Sequence, residues 1–161
     1  MHKVVAMADL YPILYETLHA GGIVSLTSTG TSMLPMLKHQ RDSITLEPIT
    51  SPLLVNEVVL YRRDSGQFVL HRIVGRESNG GYVLCGDNQI VFEHNIEYRQ
   101  IIGRLQAFTR KGRYFTKESL PYKVYVGLVP ALRLLKRWIS FGRRHLSTIK
   151  HWICREPHGN R

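Results

Sequence analysis

The sequence predicts a mainly β protein in which short antiparallel strands form a partly closed sheet, with one helix before the sheet and one after it. Short apolar runs rich in β-branched residues are separated by turn sequences at residues 63–66 and 79–81. Apolar residues at helical spacing are confined to the two ends of the chain. Short strands joined by glycine and asparagine turns are typical of an antiparallel sheet and not of a parallel α/β arrangement.

Charge divides the 161-residue chain unevenly. Residues 1–109 carry 9 Lys and Arg against 10 Asp and Glu, a net charge of −1, whereas residues 110–161 carry 13 against 2, a net charge of +11. We therefore divide the chain into an N-terminal helix (1–21), a β-rich body (22–109) and a basic helical tail (110–161). The excess of positive charge in the tail predicts contact with an anionic surface.

The first two elements bring the chain to a constrained turn. Asp9 is predicted to cap a helix over residues 10–20 that ends at Gly21-Gly22. Residues 23–28 alternate apolar and polar side chains, which predicts a strand. The sequence Gly-Thr-Ser-Met-Leu-Pro follows at residues 30–35.

Ser32 stands in the middle of this turn and is our candidate nucleophile. Glycine at position 30 permits a positive φ and a close approach of the backbone, and Pro35 stiffens the exit from the turn. A serine in a turn is more often structural. The assignment of Ser32 as a nucleophile therefore depends on whether later segments supply a base and a carboxylate.

The later strands place a histidine within a hairpin. Residues 57–62 and 67–74 are two apolar runs joined by a four-residue turn, which predicts a hairpin with His71 on its return strand. Other runs also predict strands, at residues 43–47, 82–85 and 100–109. A histidine within hydrogen-bond reach can take the proton of a serine, and a carboxylate can fix the tautomer of that histidine.

The tail predicts a basic amphipathic helix from residue 122. Its apolar face would consist of Leu128, Ala131, Leu132, Leu135, Trp138 and Ile139, opposite a basic face that includes Arg133, Lys136, Arg137 and Arg144. A break is predicted at Phe141-Gly142, before a second helical segment at residues 146–153 that contains Trp152. Such a helix is typical of a peripheral membrane segment. The alternative is a helix packed on the body with its basic face in solvent.

Residues 22–105 resemble the signal peptidase I clan of serine peptidases (S24/S26), which also contains the self-cleaving SOS repressors. The resemblance is carried by short motifs in a characteristic order: Ser-Met-x-Pro at residues 32–35, Arg41-Asp42, residues 57–62, His71-Arg72, Gly86-Asp87-Asn88 and Ile102-Gly103-Arg104. Where bacterial leader peptidases and the repressors have a lysine base, this chain has His71. In this respect it is similar to the histidine type found in the endoplasmic reticulum and in archaea.

The resemblance implies the coiled β-sheet of that clan and a Ser-His-acid mechanism that passes through an acyl-enzyme. The acid is Asp87 or Glu93, since in histidine-type relatives an acidic residue a few positions after Gly-Asp-Asn completes the triad. Arg72 is expected to orient the site or to pair with Asp87. The sequence shows no motif for a metal or a cofactor.

The backbone N–H of Ser32 is the candidate oxyanion donor, with Ser28 or Thr29 as a further donor. Met33 is expected in the wall of the core or of an apolar substrate pocket.

The function predicted from these residues is that of a serine endopeptidase that cleaves a leader or signal-type peptide. Members of the clan usually have transmembrane anchors, but this chain shows neither a signal peptide nor an apolar run long enough to span a bilayer. We therefore expect a cytoplasmic location or a peripheral one at the cytoplasmic membrane. The expected partners are a peptide or protein substrate and an anionic membrane contacted through residues 122–154. Nucleic acid is less favoured, because no binding module accompanies the charge.

Two alternatives remain open at this point. One is a self-cleaving regulator of the S24 type, for which Ala20-Gly21 is the candidate cleavage site upstream of Ser32. The other is a non-catalytic binding or membrane-docking module on the same fold.

Overall fold

The computed structural model describes the backbone of residues 7–153 and the side chains of residues 7–139. Within this range, helices α1 (Met7–His19) and α2 (Leu120–Ile153) flank a sheet of eight strands. The strands are β1 (Val24–Thr27), β2 (Ser43–Glu47), β3 (Val58–Arg62), β4 (Phe68–Arg76), β5 (Tyr82–Cys85), β6 (Glu93–Ile96), β7 (Ile101–Arg110) and β8 (Arg113–Thr116). A short 3₁₀ helix (Tyr98–Gln100) precedes β7.

The strands form one antiparallel sheet in the order β1-β2-β7-β3-β4-β5-β6, with β8 paired to β7. The sheet is open, and β1 and β6 are its edges. The predicted mainly antiparallel β fold with a helix at each end is thereby confirmed. Strands β6 and β8 were not predicted. Positive φ angles at Lys111 (50°) and Gly112 (75°) form the tight turn before β8, so the sheet continues past residue 109.

The central strand β3 is buried on both sides, because successive side chains of a strand point to opposite faces. Val58 belongs to a hydrophobic cluster that includes residues of α1, whereas Val59 belongs to a second cluster. Register pairs Val58 with Arg72 and Val59 with His71. His71 and Arg72, although adjacent in the chain, therefore point to opposite faces of the sheet.

Helix α1 ends in the double-glycine cap that its sequence predicts. Gly21 has a φ of 83°, and its N–H donates to the carbonyl of Leu18 over 3.1 Å. The N–H of Gly22 donates to the carbonyl of Thr17 over 2.8 Å, which completes a Schellman motif. The prediction that Asp9 is the N-cap is wrong. Asp9 lies inside the first turn, where a carboxylate interacts favourably with the helix dipole.

Helix α2 is continuous over 34 residues, so the predicted break at Phe141-Gly142 is wrong. A glycine inside a helix costs only about 1 kcal/mol, which the rest of a long helix can tolerate. The helix packs on the body through a face that includes the buried side chains of Tyr122 and Val129. The side chain of Trp152 and residues 154–161 lie outside the described part of the chain.

The predicted apolar face of α2 does not pack on the body. It is exposed at Leu128, Ala131, Leu132, Leu135, Trp138 and Ile139. Helix α2 does pack on the body, as in the alternative to a membrane segment, but through a different face. Two of the predicted basic residues, Arg133 and Lys136, instead contact the body, at Phe92 and Asn88 respectively.

Candidate active site

Ser32 lies on the loop of residues 28–42 that connects β1 to β2. The two ends of the loop are tied together, because the N–H of Ser28 donates to the carbonyl of Asp42 over 2.8 Å. Gly30 has a φ of 85°, a conformation that residues with a side chain rarely adopt. The predicted use of glycine at this position is thus visible in the backbone that leads to Ser32.

A buried carboxylate holds the base of this loop. Asp42 accepts hydrogen bonds from Arg41 at 2.6 and 2.7 Å and from the N–H of Lys38 at 2.8 Å. The hydrogen bonds from Arg41 are the main reason that the pKa of Asp42 falls to about 2. Asp42 is therefore ionised at neutral pH and anchors the loop that carries Ser32.

The segment that follows β5 contacts the backbone of Ser32 and holds it in position. The N–H of Asn88 donates to the Ser32 carbonyl over 2.7 Å. A Cβ at Gly86 would lie 2.7 Å from the Ser32 carbonyl oxygen and 3.0 Å from its Cβ, so Gly86 leaves no room for a side chain. Within the described residues, the amide N–H and the hydroxyl of Ser32 have no hydrogen-bond partner. Both groups are available to a ligand.

His71 is fully buried on β4, and its two ring nitrogens have different surroundings. Nδ1 lies 3.2 Å from Oε1 of Glu93 and 3.2 Å from the hydroxyl of Tyr61. Nε2 has no hydrogen-bond partner among the described residues. Burial lowers the pKa of His71 from 6.5 to about 4, although the charge of Glu93 acts in the opposite direction. A neutral imidazole with a carboxylate at Nδ1 carries its proton there and can accept another at Nε2.

Glu93, on β6, is itself held by a cation. Arg63 donates from Nε to Oε2 over 2.8 Å and from Nη2 to Oε1. Partial burial favours the protonated acid, but the hydrogen bonds of Arg63 and Tyr61 outweigh it and lower the pKa of Glu93. Burial, followed by the nearby Glu93, raises the pKa of Tyr61, so its hydroxyl remains protonated. The carboxylate beside His71 is thus ionised at neutral pH.

Asp87 has a different partner. Arg72 donates to it from Nε over 2.8 Å and from Nη2 over 2.7 Å, and both side chains are about 1% exposed. Tyr125 of α2 donates its hydroxyl to Asp87 over 2.9 Å. The arginine also donates to the Tyr122 hydroxyl over 3.1 Å. Arg72 therefore pairs with Asp87, one of the two roles that the sequence predicted for it, and this pair joins α2 to the sheet.

Ser32 and His71 line the same cleft, which has a volume of about 370 Å³. Other predicted site residues line it as well, namely Ser28, Thr29 and Met33. One wall of the cleft is apolar, at Met7, Leu26, Ile44, Leu60, Phe68, Val69 and Leu70, whereas the rest of the lining is polar and includes Thr27, Thr31, Arg63, Gln67 and Gln89. Since the amide of Ser28 already donates to Asp42, any hydrogen bond from Ser28 to a ligand would have to come from its hydroxyl. The arrangement offers a free serine, a neutral imidazole and an apolar wall to one ligand.

The sequence reasoning missed Tyr61 and Arg63, which surround the His71–Glu93 contact. Arg63 was assigned only to the hairpin turn. The register of that hairpin could have identified Tyr61. It pairs Tyr61 with Val69, and Val69 lies two residues from His71, so Tyr61 and His71 are on the same face of the sheet. Nothing local in the sequence links Arg63 to Glu93, which lies thirty residues further along the chain.

No protein-family model and no curated protein matches the chain. The resemblance to the signal peptidase clan therefore depends on the sequence motifs alone. Over the described part of the chain, His, Cys, Asp and Glu side chains form no group of three that could hold a metal ion. Over the same part, no helix is both long enough and apolar enough to cross a bilayer.

Proposed function

We propose that this protein is a serine endopeptidase of the signal peptidase-like class, with Ser32 as nucleophile, His71 as general base and Glu93 as the acid that orients the histidine. One observation carries the proposal. The Nδ1 atom of His71 is held by Glu93, while its Nε2 atom has no hydrogen-bond partner among the residues that the structure describes, and the ring lines the same cleft as Ser32. This is the division of roles that a histidine base requires.

The chemistry is acyl transfer in two steps. His71 Nε2 takes the proton of the Ser32 hydroxyl as the serine oxygen attacks the carbonyl carbon of the scissile peptide bond. The resulting oxyanion accepts a hydrogen bond from the free amide of Ser32. The imidazolium then gives its proton to the leaving nitrogen, the carbon–nitrogen bond breaks and an ester to Ser32 remains. Water, deprotonated by the same Nε2, cleaves the ester and restores the hydroxyl.

Glu93 contributes in two ways to this proposed mechanism. Its ionised carboxylate favours the tautomer with the proton on Nδ1, and it stabilises the imidazolium that forms during the reaction. Asp87 is a positioning residue in this mechanism. With Arg72 it holds the Gly86-Asp87-Asn88 segment, whose backbone supports Ser32.

The apolar wall of the cleft supports a substrate with apolar side chains near the scissile bond. A leader or signal-type peptide has this character, and the cytoplasm or the cytoplasmic membrane surface is the proposed place of cleavage. The proposed substrate class follows from the resemblance to the signal peptidase clan.

The rival in which the chain cuts itself at Ala20-Gly21 is less well supported. Gly21 forms the cap of α1, and neither residue lines the cleft that contains Ser32. A substrate bond must reach the nucleophile, so self-cleavage at this bond would require the end of α1 to unfold.

Covalent labelling with a fluorophosphonate probe, read by intact mass, tests the proposal. We expect a single adduct on wild type and none on Ser32→Ala or His71→Ala. Ser65→Ala and His94→Ala are matched controls, because both residues are exposed, and they should label like wild type. Folding of each variant is checked by circular dichroism. A folded wild type that does not label would instead favour the non-catalytic binding module. A His71→Ala variant that labels at the wild-type rate would refute His71 as the base.

A further inference from the structure

Helix α2 presents two faces with different chemistry. Side chains that contact the body recur every three or four residues, at Tyr122, Tyr125, Val129, Arg133 and Lys136. Exposed apolar side chains recur at the same spacing on the other face, at Leu120, Val124, Leu128, Leu132, Leu135, Trp138 and Ile139. In a helix with 3.6 residues per turn, these two sets occupy two adjoining faces. We call the second set the outer face.

The outer face is unusually apolar for a surface exposed to water. Trp138 is 74% exposed, Leu135 57% and Leu128 53%. The face extends from Leu120 to Ile139, which corresponds to about 30 Å of helix. Contiguous exposed apolar surface of this kind marks an interaction site, since leaving it in water is unfavourable.

The charge of the segment indicates what covers this face. Residues 110–161 carry 13 Lys and Arg against 2 Asp and Glu. Two copies packed through their outer faces would bring two net charges of +11 together, which opposes a dimer. Nucleic acid would satisfy the charge but not the leucines and tryptophan. An anionic phospholipid surface satisfies both, because its acyl region accepts apolar side chains and its headgroups attract lysine and arginine.

We propose that the outer face of α2 docks this protein on an anionic phospholipid surface, with the helix lying in the membrane interface. The face of the same helix that packs on the body contacts the Arg72–Asp87 pair through Tyr122 and Tyr125. The lipid surface and the Ser32 site are thus joined through a single rigid element. Docking in this way orients the Ser32 cleft relative to the membrane without a transmembrane helix.

Vesicle cosedimentation of the full chain carrying Ser32→Ala tests the proposal independently of any peptidase activity. The probes are vesicles of phosphatidylcholine alone and vesicles in which part of it is replaced by phosphatidylglycerol. We expect binding to the second kind that weakens with added salt, as screening of headgroup charge requires. Leu128→Gln with Leu135→Gln should weaken binding by at least about tenfold, because two leucines no longer enter the acyl region.

A matched control replaces exposed apolar residues away from α2, Ile13→Gln with Ile23→Gln, and should bind like the parent. Glutamine and leucine have similar helix propensities, so α2 itself should be preserved. A second readout does not depend on these variants: brominated phospholipid should quench the fluorescence of Trp138 in a Trp152→Phe background. Absence of binding, equal losses in both double variants or absence of quenching would overturn the proposal. A dimer in light scattering that the leucine variant abolishes would assign the face to a second copy.

Discussion

Replacing Glu93 should slow the proposed catalysis, whereas replacing Asp87 should mainly lower the stability of the protein. Glu93→Gln removes the charge that lies 3.2 Å from His71 Nδ1 while keeping the size of the side chain. Two unit charges at this distance attract by about 5 kcal/mol at an effective dielectric constant of about 20. The carboxylate is 20% exposed and shares its charge with Arg63, so we expect a loss of about 4 kcal/mol of imidazolium stabilisation. The rate of fluorophosphonate labelling should therefore fall about a thousandfold.

Asp87→Asn should lower the free energy of unfolding and leave the labelling rate of the folded protein nearly unchanged. It leaves the guanidinium of Arg72 buried without its counter-ion, since both side chains are about 1% exposed. Breaking a buried ion pair from one side costs about 3–5 kcal/mol, so the free energy of unfolding should fall by about that amount. The labelling rate of the folded fraction should stay within about tenfold of wild type, because Asp87 contacts Arg72 and Tyr125 and has no hydrogen bond to His71.

Both variants are compared by urea unfolding and by the labelling rate under conditions in which each is folded. Glu97→Gln is a control for the loss of one carboxylate, because Glu97 is exposed and its ion pair is with the exposed Arg99. The assignment of Glu93 is refuted if folded Asp87→Asn loses labelling while Glu93→Gln keeps a rate within about tenfold of wild type.

Two further predictions concern the support of Ser32 and the protonation of His71. Gly86→Ala should displace the backbone of Ser32 and slow labelling, at a cost of about 1–3 kcal/mol in unfolding free energy, because its Cβ would lie 2.7 Å from the Ser32 carbonyl oxygen. Gly75→Ala is the matched control, since its Cβ would meet Val83 at an ordinary 3.9 Å, and equal effects of the two changes would refute the reasoning. In the proposed mechanism neutral His71 is the active form, and burial holds its pKa at about 4, so the labelling rate should stay level as the pH falls through 6.5 and decline only near 4. A rate profile with its inflection near pH 6.5 would show that His71 is hydrated in the active protein or that another group is the base.

The strands were largely predictable because the signals that define them are local. Alternating side chains and a four-residue turn define the β3–β4 hairpin within about twenty residues of sequence, and the structure pairs Arg62 with Phe68 across that turn. The cap of α1 at Gly21-Gly22 is local in the same sense. Strand β6 was not predictable in this way, since Glu-His-Asn-Ile has little β propensity and is an edge strand formed by pairing with β5.

Some properties of the site and of α2 were decided only by tertiary structure. The sequence identified Ser32 and His71 as candidates and left Asp87 and Glu93 equivalent. Alternation along β4 sends His71 and Arg72 to opposite faces, and each then meets a different carboxylate, because β6 brings Glu93 to one and the turn after β5 brings Asp87 to the other.

The sequence likewise determined that the tail forms an amphipathic helix, because the spacing of its leucines has a helical period. Periodicity identifies an apolar face, but it does not say whether that face is covered. Here the sheet presents a buried Arg72–Asp87 pair, and Tyr122 and Tyr125 face inward and form hydrogen bonds with it. The rigid geometry of the helix then leaves the leucines and Trp138 facing outward.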